Sequence, residues 1–309
     1  MIDQHKINAE QNKPERLLLL RAQRLFYARA KVRQNLFALA ALILPAIGVF
    51  FGAQYHAIRP FLGLGSILLL LLEVGLLSRL QREDCKRGAK VQEQFDTEVL
   101  LLDWNRLVAG SRVDAEDIRD IAPGPIPPVD LNKLENWYER ALTTLPLPLA
   151  RLLCQRTNIT YDMRVRVSYA RILLSAAVFI GVVSTLYGLH QDLKFSGLIM
   201  VIWLPALPLV TFLLKEYRKQ RDTIETLTTL KVEIEKAWEK ALSGASDAEL
   251  TATARALQDA IYRHRASNPL VIDWLYDRLR GKNEDLARHA VEQLVAEAQR
   301  KLNLPKDAQ

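Results

Sequence analysis

Arg24, Tyr27 and Lys31 recur at helical spacing within AQRLFYARAK, and Tyr161, Arg164 and Arg166 lie together in TNITYDMRVR, with Arg171 close behind. Cations neutralise phosphates and aromatic rings stack on bases, so these six residues are candidate contacts for a single-stranded nucleic acid or a nucleotide. Anionic lipid head groups attract the same cations beside a membrane, and residue types alone leave both partners open.

A second candidate is an acid in an apolar run. Five leucines precede Glu73 in ILLLLLEVGLLSRL, residues 67–80, and the run then resumes. On a helix, Leu62, Ser66, Leu69, Leu70 and Leu77 share the face of Glu73. In a ring of subunits, Leu69 and Leu70 would form an apolar constriction and Glu73 an acidic mouth that favours cations. No apolar block supplies a Lys or Arg to neutralise this carboxylate, so it is expected to be protonated, to reach the surface or to face water. Ala177, Gly181, Ser184, Thr185 and Gly188 form a competing stripe, which suits close helix packing better than a water path.

Enzymatic chemistry finds no support. The chain lacks GxxxxGK, GxSxG, HExxH and paired cysteines at zinc spacing, and its five histidines are scattered. No catalytic residue, metal or cofactor is expected. Cys85 and Cys154 read as reduced structural thiols.

The elements that must position these residues are set by apolar blocks. Leu36–Ala53, Phe61–Ser78, Ile172–Leu189 and Phe195–Leu214 are each roughly 18–20 residues long, and a helix of that length spans about 27–30 Å, the thickness of a bilayer's hydrocarbon. The first two are joined by QYHAIR and a proline, the last two by HQDLK. The chain therefore reads as an all-α membrane protein with four transmembrane helices in two hairpins and a large helical cytoplasmic domain. Cations crowd the outer ends of both hairpins, which places both termini and all the long polar segments in the cytoplasm. No cleavable signal peptide is evident. The expected organisation is a cytoplasmic arm 1–35, hairpin 36–78, helical segment 79–171, hairpin 172–214 and helical tail 215–309.

Within the polar parts, the second span is expected to continue as a helix to Ala109, PGPIPP (123–128) to interrupt it, and Asp130 to cap a helix running through Trp137, Tyr138 and Leu142. Pro146 and Pro148 precede the next helix. The tail is expected to hold a helix through Ile224, Leu227, Ile234 and Trp238, a stop at Gly244, a capping box of Ser246 and Glu249, a restart at Pro269, and a last helix from Glu284 to about Leu302. No strand pattern competes.

Gln11–Asn12, AQRLFYARAK (22–31), TNITYDMRVR (157–166), LQDAIYRHR (257–265) and PLVIDWLYDRLR (269–280) are arranged around the two hairpins in a pattern that resembles the SMODS-associating four-transmembrane (S-4TM) pore-forming effectors, among them the Hailong antiphage-defence channels. The resemblance implies a homo-oligomeric channel, a tetramer, controlled by a nucleotide-derived ligand from a companion nucleotidyltransferase. In the Hailong group that ligand is a short single-stranded oligodeoxynucleotide that holds the channel closed. Related systems use activating cyclic nucleotides. A membrane scaffold without conductance is the alternative of a different class.

Overall fold

The structure is a computed structural model describing residues 7–51, 55–267 and 270–305. Ala53, Gln54 and Pro269, which fall in segments named above, lie outside them. Helices account for nearly all of it, and no strand occurs among the described residues. In chain order the α-helices are α1 (Ile7–Gln11), α2 (Pro14–Phe51), α3 (Arg59–Leu72), α4 (Ser78–Val99), α5 (Arg106–Ala109), α6 (Ala115–Ile121), α7 (Pro128–Leu134), α8 (Leu147–His190), α9 (Phe195–Gly197), α10 (Leu204–Leu242), α11 (Asp247–Ser267) and α12 (Asp273–Leu302). Two π-helical segments, Glu73–Leu77 and Leu198–Trp203, connect α3 to α4 and α9 to α10.

The chain folds as two compact units. One gathers residues 29–83 and 166–222; the other gathers 1–28, 84–165 and 223–309. The boundaries fall inside α2, α4, α8 and α10, so five segments in sequence make two bodies in space.

The first, the span unit, carries the apolar blocks. Among the described residues, four helices are long and apolar enough to cross a membrane. Leu64, Leu68, Leu71, Val74, Val178, Phe179 and Leu186 are exposed in this unit, a density of bare apolar side chains that hydrocarbon accepts and water does not. This is a multi-pass membrane protein. Inside the unit, Phe37 and Phe212 meet edge to face at 5.4 Å. Small residues let helices approach: a Cβ at Gly48 would lie 2.5 Å from the Val201 carbonyl oxygen, and one at Gly188 would lie 2.4 Å from Leu198 Cδ1. The small-residue stripe of the third span is thus a packing surface.

The second, the polar unit, buries Leu20, Phe26, Phe95, Tyr138, Leu152, Leu153, Leu227 and Ile234 in one core. Gln11 and Asn12 tie a loop onto it. Tyr138 N donates to Gln11 Oε1 at 2.7 Å, Gln11 Nε2 donates to Tyr138 O at 3.1 Å, and Asn136 N donates to Asn12 Oδ1 at 2.9 Å. Cys85 and Cys154 are buried thiols outside any disulfide, and burial pushes the Cys154 pKa up.

Three expectations require correction. The helix expected to reach Ala109 ends at Val99, where Leu101 takes φ +50° and Arg151 donates to the Leu100 and Leu101 carbonyls at 2.6 and 2.7 Å. A distant guanidinium closes that helix end, which local sequence does not show. Asp130 lies in the first turn of α7 without capping it, and α7 stops at Leu134, leaving Trp137 and Tyr138 in the loop held by Gln11 and Asn12. The last helix starts at Asp273 rather than Glu284 and passes straight through Gly281. Gly244, by contrast, ends α10 at φ +92°, and Glu249 N donates to Ser246 Oγ at 3.3 Å.

Candidate functional site

The six expected ligand contacts divide between the units. Arg24, Tyr27, Tyr161 and Arg164 belong to the polar unit; Lys31 and Arg166 belong to the span unit. Arg166 is buried, and its Nη1 donates to Gln220 Oε1 at 2.8 Å, so in this conformation it ties α8 to α10 rather than meeting solvent. Arg164 is exposed and Lys31 half-buried.

In the polar unit, Arg24 of α2 and Tyr161 of α8 share charged neighbours on α12. Burial, then the nearby Arg280 charge, lowers the Arg24 pKa, against the pull of Asp130, Asp273 and Asp277. Burial raises the Tyr161 pKa, with Glu284 and Asp277 adding to it and Arg280 opposing. Close by in sequence, Asp162 receives two contacts: His264 Nε2 lies 3.3 Å from its Oδ2, and Tyr276 OH donates to Oδ1 at 3.5 Å. Helices α8, α11 and α12 thereby bring Asp162, His264 and Tyr276 into contact, while Arg24 of α2 and Tyr161 of α8 both feel the charge of Arg280 on α12. Arg24 is thus a half-buried cation with one like charge, Arg280, and three carboxylates in its surroundings.

Tyr27 serves a different place. Its ring lies 3.3 Å from where a Cβ at Gly88 would sit, and its hydroxyl contributes to the surroundings of Arg265. Arg265 donates to Asp96, which is wholly buried and also accepts from Tyr138 OH at 2.7 Å and Gln258 Nε2 at 3.0 Å. Burial works against the Arg265 charge, but Asp96 raises its pKa above the ordinary value. Next to this pair, Glu93 accepts from Arg255 at 2.6 Å and Gln258 at 2.8 Å; burial, outweighing those bonds, pushes its carboxyl up to about 7. This buried network fixes α4 against α11.

The expected pore residues all lie in the span unit. Leu69, Leu70 and Glu73 are half-buried on the side of α3 that faces its own bundle, together with buried Leu62 and Ser66, while Leu68, Leu71 and Val74 are exposed. The expectation that no cation neutralises Glu73 is overturned. Lys215 Nζ, one residue beyond the fourth apolar block, donates to Glu73 Oε1 at 2.8 Å and Oε2 at 3.0 Å. No group of three or more His, Cys, Asp or Glu residues able to hold a metal occurs among the described residues.

The domain described as SMODS-associating 4TM effector domain matches residues 5–294, taking in both units. The chain belongs to the S-4TM effector family. A relative described as a "Probable CBASS effector molecule" from Bacillus cereus (strain VD146) is 26% identical over 285 residues, covering 86% of this chain and 90% of the relative. No solved structure matches the chain. The S-4TM match thus includes the Arg24–Tyr161–Arg280 cluster, the buried network and all four spans. Sequence reasoning missed His264, Arg265, Tyr276 and Arg280 as site residues, although LQDAIYRHR and PLVIDWLYDRLR contain all four. Their signal was present as charged and aromatic residues recurring on helix faces, but only the fold shows which face meets α2 and α8.

Proposed function

We propose that this S-4TM protein is an effector of bacterial antiphage defence that forms an ion channel as a homo-tetramer in the inner membrane, with both termini cytoplasmic and no enzymatic activity of its own. A short single-stranded oligodeoxynucleotide, made by a companion nucleotidyltransferase, holds the channel closed, and its loss opens the gate. The observation that carries this reading is the cluster in the polar unit, where Arg24, Tyr161 and Arg280 lie on α2, α8 and α12. Cations and an aromatic ring on one surface suit a phosphate-linked ligand. Because α2 and α8 go on to form spans, ligand-dependent changes in the polar unit have a covalent route to the membrane. A ligand shifts the gate only through differential affinity, and a hundredfold preference is worth about 2.7 kcal/mol.

The relative's designation as a CBASS effector favours a second ligand, a cyclic nucleotide that opens the channel. The Glu73–Lys215 pair favours a third possibility, spans that anchor a scaffold without conducting, because an acid neutralised within its own subunit gives no charged mouth. Equilibrium binding of oligodeoxyadenylate and of a cyclic dinucleotide to the purified protein, with Arg24→Ala and Arg280→Ala, separates them. Preferential binding of the linear ligand that weakens steeply with salt and in both variants supports the first reading; preference for the cyclic ligand supports the second, and binding of neither supports the scaffold.

A further inference from the structure

Between α4 and α6 the polar unit carries an open groove of about 1110 Å³ whose lining includes Asp103, Trp104, Arg106, Gly110, Arg112 and Arg255. It lies apart from all six residues singled out in the sequence, and its volume exceeds the range of about 300–1000 Å³ usual for small-ligand pockets. A smaller depression shares Asp103 and Arg255 with it.

The groove is built around one indole. Trp104 Nε1 donates to Gly110 O at 2.9 Å, and Gly110 takes φ +70°, a conformation in which a side chain is strained, so the loop folds back to hold the ring. The Arg112 guanidinium lies 5.4 Å from the ring centroid and is half exposed, with one bond to Glu98 at 3.1 Å. Arg106 is exposed and makes no ion pair among the described residues. Arg255 donates to Asp103 O at 2.7 Å, Glu93 at 2.6 Å and Asp259 at 2.7 Å, yet its buried Nε has no acceptor. Lys90 Nζ lies 3.8 Å from where a Cβ at Gly110 would sit. The opposing acids are Asp103 in the groove, with Glu98 and Asp259 beside it.

We propose that this groove binds a nucleotide carrying at least two phosphates, with Arg106 and Arg112 on the phosphate oxygens and the base against Trp104. The inference rests on the reading of the protein as nucleotide-controlled and adds this groove as a second phosphate-reading place beside the residues of α2 and α8. Arg112 is the mobile part. Leaving Glu98 for a phosphate exchanges one charge-assisted bond for another and uncovers the indole face for stacking. Arg106 supplies a donor fork that no carboxylate already occupies.

The test uses the full-length protein in detergent and a fluorescently labelled, 5′-phosphorylated deoxyadenylate dimer, followed by anisotropy over a range of salt. Arg106→Ala and Arg112→Ala are each expected to lower affinity about tenfold and to flatten the salt slope by about one ion, with Lys236→Ala as an unaffected control. Arg106→Lys should recover part of the loss. If both alanine variants bind like wild type while Arg24→Ala does not, the groove proposal is overturned and nucleotide control stands. If wild-type protein binds no dimer at any salt, the groove proposal falls together with the reading it rests on.

Discussion

Lys215 Nζ stands 2.8 Å from one carboxylate oxygen of Glu73 and 3.0 Å from the other. Glu73 is 16% exposed and opens the π-helical turn between α3 and α4; Lys215 is 38% exposed and follows the last apolar residue of the fourth block. An isolated carboxylate in hydrocarbon is costly, and a partner from another span removes most of that cost. Removing Lys215 alone should therefore cost more than removing both partners. In a double-mutant cycle on thermal unfolding in detergent, Lys215→Met and Glu73→Gln should show a coupling of about 1–2 kcal/mol. Additive effects would mean the pair contributes nothing in solution.

The Arg265–Asp96 pair should be far less forgiving. Asp96 is fully buried, and Arg265→Met leaves it a charge with only neutral donors, Tyr138 and Gln258. A loss of about 3–5 kcal/mol is expected, part of it recovered in the Arg265→Met/Asp96→Asn double variant. Denaturant or thermal melts of the two variants check this, and equal stability of the single and double variants would contradict it.

Glu93 makes stability depend on pH. Its carboxyl is pushed up to about 7 in the folded protein against an ordinary value of 4.5, with Arg255, Gln258, Asp96 and Tyr262 around it. Between those values the folded chain holds more protons than the unfolded one, so the Glu93 contribution to stability falls as pH rises from about 4.5 to about 7 and levels off above. Glu93→Gln should remove that slope. Melting midpoints of wild type and variant at pH 5 and pH 8 decide it: a gap that narrows toward pH 5 is expected, and a constant gap would contradict it.

Helix approach in the span unit depends on Gly48. A Cβ there meets the backbone oxygen of Val201 at 2.5 Å, and backbone cannot rotate away as a side chain can. Gly48→Ala should cost about 1–3 kcal/mol and lower the melting midpoint, whereas Gly75→Ala, which meets nothing within 4 Å, should not. Equal midpoints for the two variants would show that the helices separate freely at Gly48.

The spans were legible because an uninterrupted run of apolar residues has few other uses, and Gly244 and Ser246–Glu249 because caps are local chemistry. What the sequence hid was non-local. The end of α4 depends on Arg151, which is distant in the chain, and the loop at Tyr138 depends on Gln11. Glu73 looked unpartnered because its cation lies just outside the apolar block, where a count of charges within blocks does not reach. The candidate site was half visible: Arg24 and Tyr161 stand near each other through Arg280, while Arg166 turned out to be occupied by Gln220. The groove around Trp104 left no signal, since its arginines come from the short α5, from the loop after it and from α11.

The central claim is that a nucleotide controls a conductance. Planar-bilayer recording of the purified protein, with and without short single-stranded oligodeoxyadenylate, tests it most directly. The account predicts ionic current whose open probability falls when the oligonucleotide is added and recovers when a nuclease removes it. Correctly assembled protein that passes no current under either condition would contradict it.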